Sequence, residues 1–338
     1  MAPTLDLFVP GVVYLDIIFT GLRDLPRPGT EVWATGMGSC PGGVANLAVA
    51  AARLGLRTGL GTALATDAYG DFCARTLCGQ ENIDLSASTR VDGHSPVTVS
   101  LAYDRDRSMV THAHPPPLNA SGLVGPLPAA RAASVSLTKD DLPWVRQARQ
   151  AGTLVFADVG WDDTDAWPAE ALAMLSDCHA FLPNSVEAMR YTRASSPEEA
   201  ARRLAGLVPI VVVTCGSDGA IAIDSATGEL VHAPAVPVEA LDPTGAGDVF
   251  MAGFILGTLA GRPLEERLAF ANLIASLSVQ QFGGSLSAPG WGDIADWWRC
   301  SDDPRYAFLD DLIPDGEQRA VRRATATIAR LSDAQAHD

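Results

Sequence analysis

Apolar residues in this chain gather into short unbroken runs separated by longer stretches of helical period. The run from Leu5-Asp6-Leu7-Phe8-Val9 to Ile17-Ile18 reads as one buried first strand that passes through Gly11 and ends near Asp16. Between residues 131 and 260 the pattern repeats, with apolar runs at 134–137, 153–157, 179–182 and 210–213. A strand that is apolar on both faces must be covered on both, so the alternation of these runs with helices predicts a parallel α/β sheet. Asp16 then stands at a strand's carboxyl end, the edge where open α/β sheets bind ligands, and a carboxylate there suits sugar hydroxyls.

Two stretches keep a different rhythm. Residues 20–37 read as short strands cut by Pro26, Pro28 and Gly29. In 97–103, Val97, Val99, Leu101 and Tyr103 alternate with Thr98, Ser100 and Ala102, and a charged turn Asp104-Arg105-Asp106-Arg107 leads into Met109-Val110-Thr111. These hairpin-like pieces, far apart in sequence, can form one small sheet. Between them Pro41-Gly42-Gly43 opens an Ala-rich helix that stops at Leu54-Gly55, with Asn46 one turn inside, an amide able to donate to and accept from a diol. A second helix runs from Leu268 through Asn272 into Gly283-Gly284, and an amphipathic segment spans about 321–331.

Composition narrows the classes of function. A chain of 338 residues with 47% hydrophobic content can bury a sizeable core, as one large α/β domain with an insertion or as two domains. Its formal charge of −16 opposes nucleic acid and anionic membranes, and no apolar run approaches the roughly 18 residues that span a bilayer. Lys139, the sole lysine, follows Thr138, which excludes a P-loop. Gly36-Met37-Gly38-Ser39-Cys40-Pro41 has proline where a dinucleotide fingerprint needs its last glycine. Six cysteines without a C-x-x-C pair, behind an acidic start with no secretory pattern, read as reduced thiols of a cytoplasmic protein. His112-x-His114 runs at once into Pro115-Pro116-Pro117, which disfavours a zinc site.

The candidate chemistry lies in Leu241-Asp242-Pro243-Thr244-Gly245-Ala246-Gly247-Asp248, directly before the apolar run 249–256. Three small residues leave backbone N–H groups open, and a helix starting here aims its first-turn amides and positive dipole end at the same place. An anion can be held there. Asp248, at the mouth of such a cradle, repels an anion unless it has a task, such as accepting a proton from an attacking hydroxyl. The pair of features suggests phosphoryl transfer to an alcohol; the plainer alternative is a loop ending in an acidic N-cap.

This octapeptide resembles the D-T-x-G-A-G-D signature of the ribokinase-like (PfkB) carbohydrate kinases, with Pro243 at its second position. Gly11-x-x-x-x-Asp16 is similar to that family's first-strand substrate motif, and Gly42-Gly43 with Asn46 to its glycine-pair motif. Asn184-Ser185-Val186-Glu187 resembles its N-x-x-E, and Thr214-Cys215-Gly216-Ser217-Asp218-Gly219 its nucleotide-side turn. Thr66-Asp67-Ala68-Tyr69-Gly70 resembles its G-x-D-x-x-G turn without the first glycine, so Asp67 can equally be a helix cap.

The resemblance implies a ribokinase-like three-layer α/β/α sandwich with a small β-sheet lid, the lid from about 14–38 and 94–113, in a kinase domain of residues 1–300 followed by a helical tail of 301–338. It implies an ATP-dependent kinase with Asp248 as base and Gly245, Ala246 and Gly247 as the anion cradle. Asp16, Gly42, Gly43 and Asn46 would bind the acceptor, and Asn184, Thr214, Gly216, Gly219, Asn272 and Gly283 would bind ATP. Glu187 would order Mg²⁺ through water, and Asp242 and Ser287 would lie near a monovalent cation such as K⁺. A homodimer formed through the lid is also implied. Two departures bear on substrate: Val44-Ala45 replaces the Lys-Gly of many relatives, and Asp158-Val159-Gly160-Trp161-Asp162 lacks an arginine that several carry. Both remove a partner for a phosphorylated or carboxylated acceptor, which favours a neutral sugar or nucleoside, with a neutral sugar taken as the main reading. The alternatives are a nucleoside kinase, in which Tyr14, Phe19 or Trp33 would stack on a base, and a non-catalytic sugar- or nucleotide-binding regulator, against which the retained Asp248 argues.

Overall fold

The computed structural model describes residues 5–103, 106–114, 122, 126–160, 162, 164–281 and 283–315. In chain order its strands are β1 Leu5–Pro10, β2 Val13–Thr20, β3 Gly36–Gly43, β4 Thr58–Gly61, β5 Ala63–Ala65, β6 Thr89–Val91, β7 Val97–Tyr103 and β8 Asp106–His112. They continue with β9 Ala130–Leu137, β10 Leu154–Val159, β11 Ala180–Phe181, β12 Ile210–Thr214, β13 Ala220–Asp224 and β14 Glu229–Ala233. The α-helices are α1 Ala45–Arg53, α2 Ala68–Ala74, α3 Pro143–Gln150, α4 Ser185–Thr192, α5 Pro197–Leu204, α6 Ala246–Leu259, α7 Leu264–Ser278, α8 Trp291–Arg299 and α9 Leu309–Leu312.

The eight-stranded sheet has the order β14-β13-β12-β11-β10-β9-β1-β4 and is parallel from β4 to β12. Because side chains alternate along a strand, each strand feeds two cores. Leu7, Val9, Phe156 and Val212 join α1, α6, α7 and α8 on one face, while Phe8, Val155, Ala157, Val211 and Val213 join α3 and α5 on the other. Helices on both faces of a mostly parallel sheet make a three-layer α/β/α sandwich, as the resemblance implied. Helix α6 is apolar all round, as befits a helix buried on every side. It lies so close to α7 that a Cβ on Gly253 would come 2.6 Å from Ile274 Cδ1.

Three expectations are corrected in detail. The run over 5–18 is two strands: β1 belongs to the large sheet, and the chain leaves it at Gly11 (φ +155°), where a Cβ would meet Val44 Cγ1 at 2.4 Å. Asp16 consequently sits in the middle of β2, within the small sheet β3-β2-β7-β8, opposite Cys40 and Thr98. Gly42 and Gly43 close strand β3 rather than opening a helix, and α1 begins at Ala45. The antiparallel hairpin β13–β14 has no counterpart in the sequence reading.

The segment after α8 packs back on the body, with Tyr306 1% exposed and edge-on to Trp297 at 4.9 Å. The amphipathic stretch 321–331, Asp104, Arg105, Trp161 and Pro115-Pro116-Pro117 lie outside the described residues. Among the described residues no helix is long and apolar enough to cross a membrane.

Candidate active site

Helix α6 starts with Gly245 as its N-cap in the left-handed region (φ +79°), a conformation that glycine adopts without strain. Ala246 N–H donates to Pro243 O at 3.2 Å, so this amide, expected in the cradle, closes a turn instead. The N–H groups of Gly245, Gly247 and Asp248 have no acceptor among the described residues, and they sit at the positive end of a 14-residue helix. Asp248 does not cap α6; its Oδ2 accepts from Asn46 Nδ2 at 3.2 Å. Burial pushes its carboxyl up to about 6, against the lowering effect of that hydrogen bond.

Asp16 faces the same space. It is 8% exposed, and no hydrogen-bond donor reaches it among the described residues. Burial first, then the charges of Asp248 and Asp242, raises its carboxyl to about 7. Gly42 must be glycine for this packing, since a Cβ would fall 1.9 Å from Asp16 Oδ2. Gly43 (φ +62°) lets the backbone turn from β3 into α1, and Asn46 Oδ1 is buried without a partner. The small sheet, α1 and α6 thus converge on two carboxylates and an amide whose bonding capacity is incompletely used.

Behind α6 lies a second set. Asp242, 1% exposed, accepts from Thr244 N at 2.9 Å and Gly283 N at 3.0 Å, with no lysine or arginine paired to it among the described residues. Ser287 Oγ donates to Gly284 O at 2.9 Å. At the ends of β11 and β12, Asn184 and Glu187 form a capping box on α4: Glu187 N donates to Asn184 Oδ1 and Asn184 N to Glu187 Oε2, both at 2.9 Å. Glu187 Oε1 has no hydrogen-bond partner among the described residues, and burial raises this carboxyl. Asn184 bridges to Thr214, whose strand runs into the turn of Gly216 (φ +58°) and Gly219 (φ +93°). Asn272, 4% exposed, spends its Nδ2 on the end of β14, donating to Ala233 O at 2.8 Å. Asp67 caps α2 and also takes Ser95 N and Oγ, which ties α2 to the entry of β7.

Comparison with known proteins bears on this arrangement. The family model "pfkB family carbohydrate kinase" matches residues 132–291. The aminoimidazole riboside kinase of Salmonella typhimurium is 31% identical over 282 residues, covering 74% of this chain and 85% of that protein. The chain belongs to the PfkB family of carbohydrate kinases. A nucleoside kinase of Methanothermobacter thermautotrophicus is 28% identical over 87% of this chain and 95% of its own. The structure of Arabidopsis thaliana ribokinase complexed with ribose and ATP has a TM-score of 0.68 at 24% identity, over 93% of this chain and 100% of that one, which speaks for the fold. This PfkB protein is therefore a phosphotransferase with an alcohol group as acceptor, a sugar or nucleoside kinase.

One acid of this PfkB cleft escapes the sequence motifs. Asp158, next to last in β10, is half-buried at the carboxyl edge of the sheet; burial, then the charge of Glu187, drives its carboxyl well above the usual range, and Asp248 adds to this. A lone acid at the end of an otherwise apolar strand was the available signal.

Proposed function

We propose that this chain transfers the γ-phosphoryl group of ATP to a hydroxyl of a neutral sugar, free or carried in a nucleoside. The observation that supports this reading is the charge of the cleft. Asp16, Asp158, Glu187, Asp242 and Asp248 are gathered there, and none is paired with a lysine or arginine among the described residues. An anionic acceptor would meet repulsion and no counter-charge. Relatives named for ribose, nucleosides and aminoimidazole riboside agree with a neutral pentose.

In this reading Asp16 and Asn46 hold neighbouring acceptor hydroxyls. Asp248 takes the proton of the attacking hydroxyl while its oxygen bonds to phosphorus and the bond to the ADP oxygen breaks. The amides of Gly245, Gly247 and Asp248 face the oxygens of the transferred group, where charge builds. Asn184, Thr214, Gly216, Gly219 and Gly283 line the donor side, with Asn272 shaping its wall from behind.

The residues also suit the two cations that the resemblance implies. Glu187 Oε1 and Asp158 are hard oxygen donors without a cationic partner among the described residues, suited to the water shell of Mg²⁺, and Asp242 is a buried carboxyl on the loop that Ser287 shares, suited to a monovalent ion. Bound with ATP, Mg²⁺ supplies charge neutralisation at the triphosphate.

A panel of neutral sugars, nucleosides, sugar phosphates and sugar acids assayed with Mg-ATP tests the reading. The expected result is a higher kcat/KM for neutral acceptors; a clear preference for a phosphorylated or carboxylated sugar contradicts it.

The small sheet is proposed as the lid and as a dimer contact. Register puts Ile17, Phe19, Met37, Val99, Leu101 and Val110 on its face opposite Asp16, with Met37 48% and Val110 70% exposed. An apolar sheet face of this kind suits a symmetric partner. Light scattering is expected to give twice the 35.4 kDa chain mass, and Val110→Asp to return it to the monomer. A monomeric wild type at working concentration, with acceptor present, contradicts the dimer.

A further inference from the structure

Arg53, the last residue of α1, is buried together with Glu81, their side chains only 6% and 3% exposed. Its Nε and Nη2 donate to the two oxygens of Glu81 at 3.1 and 2.8 Å. The remaining arm points elsewhere: Nη1 donates to Leu286 O at 2.9 Å and Ala288 O at 2.6 Å. Four of the five N–H donors of this buried guanidinium are thereby committed, to a bidentate carboxylate and two carbonyls, and the planar fork fixes all three partners at once.

The two carbonyls belong to the loop that supports the cradle from behind. Within it Gly283 N holds Asp242 Oδ2, Gly284 N donates to Thr244 O at 3.0 Å, and Ser285 Oγ donates to Pro41 O at 2.5 Å. Asp242 and Thr244 lead directly into Gly245, Ala246 and Gly247. Helix α1 therefore acts at both ends. Its first turn carries Asn46 to Asp248, and about 10 Å further on, at 1.5 Å per residue, its last residue grips the loop behind the amides. The base and the cradle are referenced to the same rigid rod.

We propose that Arg53 is a positioning residue for phosphoryl transfer: through Leu286 O and Ala288 O it sets the 283–288 loop, and through Gly283 and Gly284 the Asp242–Gly247 turn whose amides receive the transferred group. The inference rests on the cradle assigned above. It separates two tasks of one side chain. The bond to Glu81 neutralises a buried acid and serves stability, whereas the Nη1 bonds place the loop and serve turnover.

The test compares Arg53→Ala, Arg53→Lys and Glu81→Gln by melting temperature, kcat, acceptor KM and response to added guanidinium. Displacing a pre-organised cradle acts on the transition state more than on acceptor binding, so Arg53→Ala is expected to lose roughly 10²-fold in kcat with acceptor KM within about threefold. Guanidinium at sub-denaturing concentration is expected to restore at least about a tenth of the lost rate, by refilling the site, and to leave the wild type unchanged. Glu81→Gln lowers the melting temperature as well but keeps Nη1 on the carbonyls, so its kcat is expected to fall less than that of Arg53→Lys. The proposal is overturned if guanidinium restores nothing, if acceptor KM rises in step with the fall in kcat, or if wild-type kcat persists in folded Arg53→Ala. Should Arg53→Ala not fold, the other pair decides: equal kcat losses in Arg53→Lys and Glu81→Gln overturn it. Failure of the wild type to transfer phosphate counts against the cradle reading instead, and is seen before any variant is made.

Discussion

Asp248→Asn is expected to lower kcat by roughly 10² to 10⁴, the usual loss when a general base is removed, without lowering the melting temperature. Asparagine keeps the size of the side chain and can still meet Asn46, but it cannot take a proton. The stability half of the expectation follows from the structure. Asp248 makes no capping bond on α6, so no cap is lost. Its folded pKa, raised to about 6 by burial, lies above the unfolded carboxylate value, so the native state binds the extra proton between about pH 4 and 6. Ionised Asp248 therefore costs stability above pH 6, and a neutral amide removes that cost. A melting temperature at pH 8 equal to or above that of the wild type is the expected reading. A fall in melting temperature with turnover per folded molecule unchanged would mean that the carboxylate is structural.

The second large effect concerns Asp16→Ala, which is expected to raise the acceptor KM by about 10² while ADP-forming turnover at saturating acceptor falls far less. A carboxylate hydrogen bond is worth roughly 1.5–3 kcal/mol, and two hydroxyls of a diol lost together account for at least a hundredfold in binding. Asp16 is free to make both, being buried without a donor of its own among the described residues. With its carboxyl raised to about 7 by burial, ionised Asp16 is costly to hold in the cleft, so the alanine variant is also expected to melt higher at pH 8. Steady-state kinetics with the best acceptor of the panel give the answer. An acceptor KM within about threefold of the wild type would remove Asp16 from the binding site.

Much of this site was legible in the chain as local motifs, and what was not legible is contact between distant motifs. The small residues before Asp248 announce a cradle at a helix start, yet only the folded chain reveals that Ala246 N–H is spent on Pro243 O, leaving the neighbouring amides open. Asn46 reads as an acceptor-side amide, but its bond to Asp248 joins α1 to α6 across 202 residues. Asp16 was placed at the wrong edge, because an apolar run continuous through Gly11 hides the break at which the chain moves from the large sheet to the small one. Asn184 and Glu187 are one turn apart, and the same geometry serves a capping box and leaves one carboxylate oxygen over. Asp158 offered only the faint signal of one acid in an apolar strand, and the Arg53–Glu81 pair has no sequence signature at all, since their meaning lies in what the sheet and the loops bring beside them. The two separated hairpin stretches pair through β2 and β7, where strict alternation signalled strands but could not signal partners.

The central claim, that the Asp248 carboxylate takes the acceptor proton, is tested most directly by single-turnover phosphoryl transfer from ATP, with wild type and Asp248→Asn measured side by side from pH 5 to pH 9. For the wild type the rate constant is expected to fall about tenfold per pH unit below a midpoint near 6, as the carboxylate that burial has raised becomes protonated. For Asp248→Asn it is expected to lie roughly 10² to 10⁴ lower at pH 8 and to lose that limb. Transfer in the asparagine variant at the wild-type rate, or an unchanged acid limb in it, would contradict the assignment.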